Sequence, residues 1–227
     1  ESLPWWRYRR IFLKRERIVA GARFWREHRA LLDRAHDEFG VPQRIIVAII
    51  GVETNFGTRK GDIRVIDSLV TLAFKYKKRS AFFKRELEQF LLLTTEGHVD
   101  PKTISGSYAG AMGLPQFITS SYRAYAVDFD GDGRKDLLNN VADAIGSVGS
   151  YLARHKWQRG EPIAGRAELT SGAASIAKRG YKPHTSLGKM RRAGVKALPE
   201  VKDGVSAALI AFDLQDGGKE YWVGLPN

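Results

Sequence analysis

The chain has 227 residues, 43% of them hydrophobic and 27% charged, a profile that supports a buried core and excludes a disordered polymer. No apolar run approaches the roughly 20 residues that span a bilayer, and the absence of cysteine excludes disulfides, thiolate zinc sites and thiol nucleophiles. The 37 Lys and Arg against 25 Asp and Glu leave a formal charge of +12, which favours polyanionic partners, yet no paired Cys/His ligands or RNP motif point to nucleic acid.

Glu1-Ser2-Leu3-Pro4 lacks the basic and apolar regions of a secretory leader, which by itself decides nothing about compartment. The short basic clusters Arg7-Tyr8-Arg9-Arg10 and Lys75-Tyr76-Lys77-Lys78-Arg79 read equally as solvated helix faces or as polyanion contacts. From Arg10 to Phe39, apolar residues recur at helical spacing: Ile11, Ile18, Ala22, Trp25, Leu31, Leu32, Ala35 and Phe39. Gly40 supplies a stop and Pro42 suits the first turn of a new helix, which runs to about Glu53 and is apolar on every side, so it is expected to be buried all round. Ile66–Tyr76 and Ala81–Thr94 read as amphipathic helices, with Ser80 as N-cap of the second. A small-residue stretch, Gly106 to Gly113, precedes an expected helix from Pro115 to Tyr125. An acidic loop opens at Asp128, and another helix is expected from Val141 to His155. Beyond Gly160, Pro, Gly and Lys become frequent, and Val205–Phe212 and Tyr221–Val223 read as strands.

Glu53 stands at the mouth of the apolar helix. Partial desolvation there raises a carboxyl pKa, which suits a general acid in glycoside cleavage. On that feature alone, Glu53 reads more readily as the point where a buried helix meets water. The flanking motifs add to it: Gly51-Val52-Glu53-Thr54-Asn55-Phe56-Gly57, Asp67 to Phe74, Gly106 to Gly113, Gln116-Phe117, Ser120-Ser121-Tyr122, Tyr125 to Phe129, Asp143 to Ser147 and the closing Tyr221 to Asn227. Together, in order and with similar spacing over most of the chain, they resemble the lytic murein transglycosylase B family.

That resemblance implies a mainly α (α+β) fold, a lysozyme-like helical core with a smaller C-terminal α+β appendage. The expected regions are residues 1–40 (helical), 41–159 (catalytic core) and 160–227 (appendage). It implies cleavage of the β-1,4 bond between N-acetylmuramic acid and N-acetylglucosamine in peptidoglycan glycan strands. No water is consumed, and a 1,6-anhydro sugar is formed. One carboxylate suffices for that reaction, whereas hydrolysis usually needs two; Asp62 and Asp67 remain open as a second. By the family pattern, Ser107 lies beside the catalytic carboxylate and Gln116 hydrogen-bonds sugar amides. Tyr108, Phe117 and Tyr122 are candidates for lining the groove, with core packing as the alternative.

The loop Asp128-Phe129-Asp130-Gly131-Asp132-Gly133-Arg134-Lys135-Asp136 has the EF-hand pattern. It offers carboxylates at positions 1, 3, 5 and 9, glycine at 6 and the Arg134 carbonyl at 7. Asn139 replaces the bidentate Glu of position 12, and Asp143 is expected to compensate. The expected ion is structural Ca2+ or Na+, with no catalytic cofactor. The family chain continues past Gly224-Leu225-Pro226-Asn227 into an aromatic segment with a Tyr-Asn pair that helps bind substrate. That segment lies outside this sequence, and no membrane anchor is visible in it. The expected setting is the periplasm, soluble or anchored to the outer membrane, with glycan strands as partner and no nucleic acid. Three alternatives stand beside this one: a hydrolytic muramidase, a non-catalytic wall-binding scaffold working with cell-wall synthesis enzymes and, most distant, a basic nucleic-acid binder.

Overall fold

The computed structural model describes residues 3–97, 99–170, 172–177, 180–196 and 200–227. In chain order the elements are α1 (Trp5–Phe12), α2 (Arg15–Glu27), α3 (Arg29–Phe39), α4 (Gln43–Thr54), β1 (Ile63–Arg64), α5 (Val65–Lys75), α6 (Ser80–Thr95), β2 (Ser105–Gly106), α7 (Thr119–Tyr125) and α8 (Val141–Arg154). There follow β3 (Ala164–Leu169), β4 (Thr185–Ser186), α9 (Leu187–Arg192), β5 (Val195–Lys196), β6 (Ser206–Asp213) and β7 (Lys219–Gly224). They form two compact units, one continuous from Arg15 to Arg159, the other joining Glu1–Lys14 to Gly160–Asn227. The boundary at residue 40 read from the sequence does not separate units. Phe24, Leu32 and Ala35 from α2 and α3 share one buried cluster with Ile46 and Ile50 of α4.

In the continuous unit, α3 stops where the sequence says it should: Gly40 adopts φ +73 and its N–H returns to the His36 carbonyl. Helix α4 is not buried all round. Arg44, Ala48 and Val52, spaced four apart, leave one exposed stripe. The helix that is buried on every side is α8, from Ala142 to Ser150. Its small residues allow that. A Cβ at Gly146 would sit 2.4 Å from the Phe129 ring and one at Gly149 2.5 Å from Phe39, so both aromatics lie directly on helix backbone. A second cluster gathers Val65, Leu69, Phe90 and Leu93 of α5 and α6 with Met112, Tyr122 and Leu137.

Two helix starts differ from expectation. Ser80 does not cap α6; its hydroxyl donates to the Ala73 carbonyl, 2.5 Å away, and ties the α5–α6 corner. Helix α7 begins at Thr119, because Pro115 to Ile118 is held in an extended turn in which Phe117 and Met112 exchange backbone hydrogen bonds. The α7 start is anchored by Glu86, a buried carboxylate on α6 that accepts from the Ser120 N–H at 2.9 Å and hydroxyl at 2.7 Å. Truncation by Glu86→Ala strips both bonds from a dry site and is expected to cost about 2–3 kcal/mol. Urea unfolding checks this, and a cost inside the error of that measurement counts against the anchor.

In the second unit, the strand order is β4-β6-β7-β3-β5, with every pairing antiparallel. Leu187 and Met190 of α9 pack with Ala207, Leu209 and Val223. Trp5 of α1 stacks on Phe212 at 4.4 Å, and its indole N–H donates to Glu220 at 3.0 Å. Strands β6 and β7 match the sequence reading. Strand β3 escaped it because Ala-Gly-Arg-Ala-Glu-Leu buries only Ala167, so no apolar alternation marks it.

Candidate active site

Glu53 is the penultimate residue of α4, and the chain turns sharply after it. Asn55, Phe56 and Gly57 take φ of +48, +58 and +86 in succession. This sequence of left-handed residues folds Phe56 back over the helix, where its ring occupies the space that a side chain at Gly51 would need, 2.6 Å from an ideal Cβ. The buried Thr54 hydroxyl fixes the turn, reaching the Leu114 carbonyl at 2.9 Å and accepting from the Gly57 N–H at 3.0 Å. One residue thereby ties the carboxylate to the loop that carries Gln116.

Glu53, Gln116 and Phe117 line one cleft of about 360 Å³ together with Ile49, Ser121 and Tyr151. The Glu53 side chain opens to solvent, yet the surrounding protein desolvates it enough to raise its pKa above the ordinary glutamate value. No other carboxylate stands among the described residues of this wall. Asp67 is exposed and bonded to Arg64 at 2.8 Å, and Asp62 is exposed; neither reaches the cleft.

Gln116 adopts φ +51, which is uncommon for a residue with a side chain. Its Nε2 donates to the carbonyls of Lys60 at 3.1 Å and Gly113 at 2.9 Å. Only a donor fits between two carbonyl oxygens, so the amide orientation is determined and both its hydrogens are used. Gln116 can therefore offer a ligand only the acceptor Oε1.

Ser107 and Tyr108 fall outside the wall of this cleft. The Ser107 hydroxyl accepts from the Ala109 and Ala111 N–H groups at 3.3 and 3.0 Å, which holds the small-residue turn together. Tyr108 is 76% exposed. Tyr122 lines no groove. Its ring is 1% exposed, and its hydroxyl donates to the Lys135 carbonyl and accepts from the Leu137 N–H, so it braces the acidic loop from within. Burial pushes its pKa up to about 12, with the charges of Asp136 and Asp143 adding to that and the Leu137 N–H opposing it. Phe117 is mostly core, 7% exposed, with one side on the cleft. The sequence reading missed Tyr151, which stacks on His155 at 4.0 Å and meets the Phe117 ring at 5.4 Å. Only the periodicity of α8 hinted at it.

In the acidic loop, one carboxylate oxygen each from Asp128, Asp130 and Asp143 lies within 4.8 Å of the others. Asp143 is fully buried and uses its two oxygens on the N–H groups of Phe129 and Asp136, both at 2.7 Å, clamping the loop at two points. Desolvation raises its pKa, and the charges of Asp130 and Asp128 add to that, against the two N–H groups. The side-chain amide of Asn140 lowers that of Asp130. Asp132 and Asp136 stand outside the triplet, turned to the N–H groups of Arg134 and of Leu138 and Asn139. Arg134 sits exposed at the turn. Three convergent hard oxygens whose like charges repel fit a hard cation.

The family model for the transglycosylase SLT domain matches residues 1–227. The chain is 42% identical over 223 residues to membrane-bound lytic murein transglycosylase B of Escherichia coli K12, covering 98% of this chain and 60% of that protein. Soluble lytic transglycosylase SltB1 from Pseudomonas aeruginosa superposes with a TM-score of 0.94 at 49% identity, over 100% of this chain and 75% of the other. Escherichia coli Slt35 in complex with calcium gives 0.88 at 41% identity, over 98% and 70%.

Proposed function

The chain belongs to the transglycosylase SLT domain family, and from that membership we propose that it cleaves peptidoglycan glycan strands at the N-acetylmuramic acid–N-acetylglucosamine bond without consuming water. It spans 60% of the length of its Escherichia coli relative, so the activity assigned is that of this portion. The observation that carries the reading is Glu53, with a raised pKa, as the one carboxylate among the described residues of the cleft wall. Protonated Glu53 gives its proton to the glycosidic oxygen as the bond to the muramic anomeric carbon breaks. The same carboxylate then takes the proton of the muramic C6 hydroxyl as that oxygen bonds to the anomeric carbon. Glu53 ends protonated, and the product is a 1,6-anhydro sugar. Gln116 accepts from a sugar N-acetyl N–H through Oε1. The first step requires the acid form, so the rate is expected to fall as pH rises through the folded-state pKa of Glu53.

Mass spectrometry of muropeptides released from purified peptidoglycan tests the reaction. Products one water lighter than hydrolytic muropeptides are expected. Full-mass reducing ends would replace this reading with a muramidase, and wall binding without release would replace it with a scaffold. From that substrate we also infer a periplasmic setting. Among the described residues, no helix is long and apolar enough to cross a membrane.

Asp128, Asp130 and Asp143 would hold a Ca2+ ion, which supplies charge neutralisation to the loop and no chemistry at the sugar. An ion at about 100 times its dissociation constant stabilises by ~2.7 kcal/mol. For a chain of this size, calcium is expected to raise Tm by roughly 5–10 °C over a chelated sample. Identical melting curves in millimolar calcium and in chelator count against the site.

A further inference from the structure

Lys60 links two parts of the molecule through its two ends. Its ammonium donates to the Leu138 carbonyl at 2.7 Å, and its own carbonyl accepts from Gln116 Nε2 at 3.1 Å. Leu138 belongs to the turn that leaves the acidic loop, its N–H bonded to Asp136 at 2.8 Å. The preceding residue touches the same region again: the Leu137 carbonyl accepts from the Leu114 N–H at 2.9 Å, two residues before Gln116. Contact there is tight, since a Cβ at Gly113 would lie 2.2 Å from the Leu137 oxygen. Lys60 follows the left-handed turn after α4 and is half-buried, so its stem is laid along protein rather than free in water.

We propose that Lys60 is a positioning residue for substrate recognition. Its ammonium anchors the 58–62 segment to the exit of the acidic loop, and the anchored carbonyl holds the Gln116 amide with Oε1 as the acceptor for a substrate N–H. Without the anchor, the segment shifts, Nε2 loses one of its two partners, and the amide turns between donor and acceptor orientations. A short-range charge-assisted bond to a carbonyl is strong enough to matter, and a methylene stem alone does not replace it.

The inference rests on the proposed glycan cleavage, so one arm of the test does not need activity. Lys60→Met keeps the stem and removes the donor, while Lys60→Arg restores a donor of similar reach. Loss of one well-aimed hydrogen bond is expected to raise KM for soluble peptidoglycan fragments roughly three- to tenfold in Lys60→Met with kcat nearly unchanged. Lys60→Arg is expected to recover most of that, and Lys60→Met added to Gln116→Ala to bring no further rise. Equal KM in Lys60→Met and wild type overturns the proposal. So does a fall in kcat and Tm with KM unchanged, which marks a merely structural residue. The second arm is the NMR signal of the Gln116 side-chain amide in the protein without substrate. Its hydrogens are expected to exchange slowly in wild type and in Lys60→Arg, and faster in Lys60→Met. Unaltered exchange overturns the proposal even if the wild type cleaves nothing, whereas failure of cleavage with the exchange pattern intact removes only the activity reading.

Discussion

Replacing Glu53 by Gln is expected to reduce release of muropeptides by about 10³-fold or more, because general acid–base catalysis contributes roughly 10²–10⁴-fold and one carboxylate serves both proton transfers. The substitution preserves shape, and no other carboxylate stands among the described residues of the cleft wall to take over. Binding to the wall is expected to persist, which separates lost chemistry from lost recognition. A residual rate within tenfold of wild type would mean that another group carries the proton. The same variant has an opposite effect on stability. Burial raises the folded-state pKa of Glu53 above its unfolded value, so the folded chain binds more protons between the two. Stability therefore falls as pH climbs through that window, and the cost of the ionised form persists above it. Glu53→Gln removes that cost. Its Tm is expected to equal that of wild type at acid pH and exceed it at neutral pH, read by scanning calorimetry at both.

The second large effect is on the acidic loop. Asp143→Asn keeps one acceptor but turns an amide NH2 toward one of the two backbone N–H groups that the carboxylate serves, from Phe129 and Asp136. A buried N–H left without an acceptor costs about 1–3 kcal/mol. Desolvation already disfavours the charged carboxyl, so in the absence of a cation the neutral amide recovers part of that loss. A bound cation reverses the balance, since it needs the charge. The expected destabilisation is thus about 1–2 kcal/mol in chelator and about 4 kcal/mol in excess calcium. Urea unfolding in the two buffers reads the difference. An equal loss in both would leave Asp143 as a loop clamp with no part in holding an ion.

Legibility in the sequence followed locality. Glu53 and the acidic loop stood out as candidates because the residues that mark them lie within a few positions: the apolar helix and the motif around the glutamate, the alternating aspartates in the loop. The helical character of the core was legible from periodicity, and β6 and β7 from their apolar runs. What stayed hidden depends on distant contacts. Tyr122 reads as a groove aromatic until its hydroxyl is seen on Lys135 and its ring in the core. Lys60 is one of 37 basic residues until its ammonium is found on a carbonyl 78 positions away. The buried helix was misassigned for a related reason. Hydrophobicity marked α4, but small size marks α8, where Gly146 and Gly149 admit aromatic rings onto the backbone.

The joining of residues 1–14 and 160–227 in one unit has a consequence during synthesis. Residues 15–159 are contiguous, and both of their buried clusters are built from that segment alone. Trp5, by contrast, must wait for Glu220, 215 positions later. At about 5–20 residues per second, that interval is on the order of 10–40 s. Through it, Trp5 lacks both the Phe212 ring and the Glu220 carboxylate it packs on, while the segment that bears Glu53 already holds the residues of its own two buried clusters.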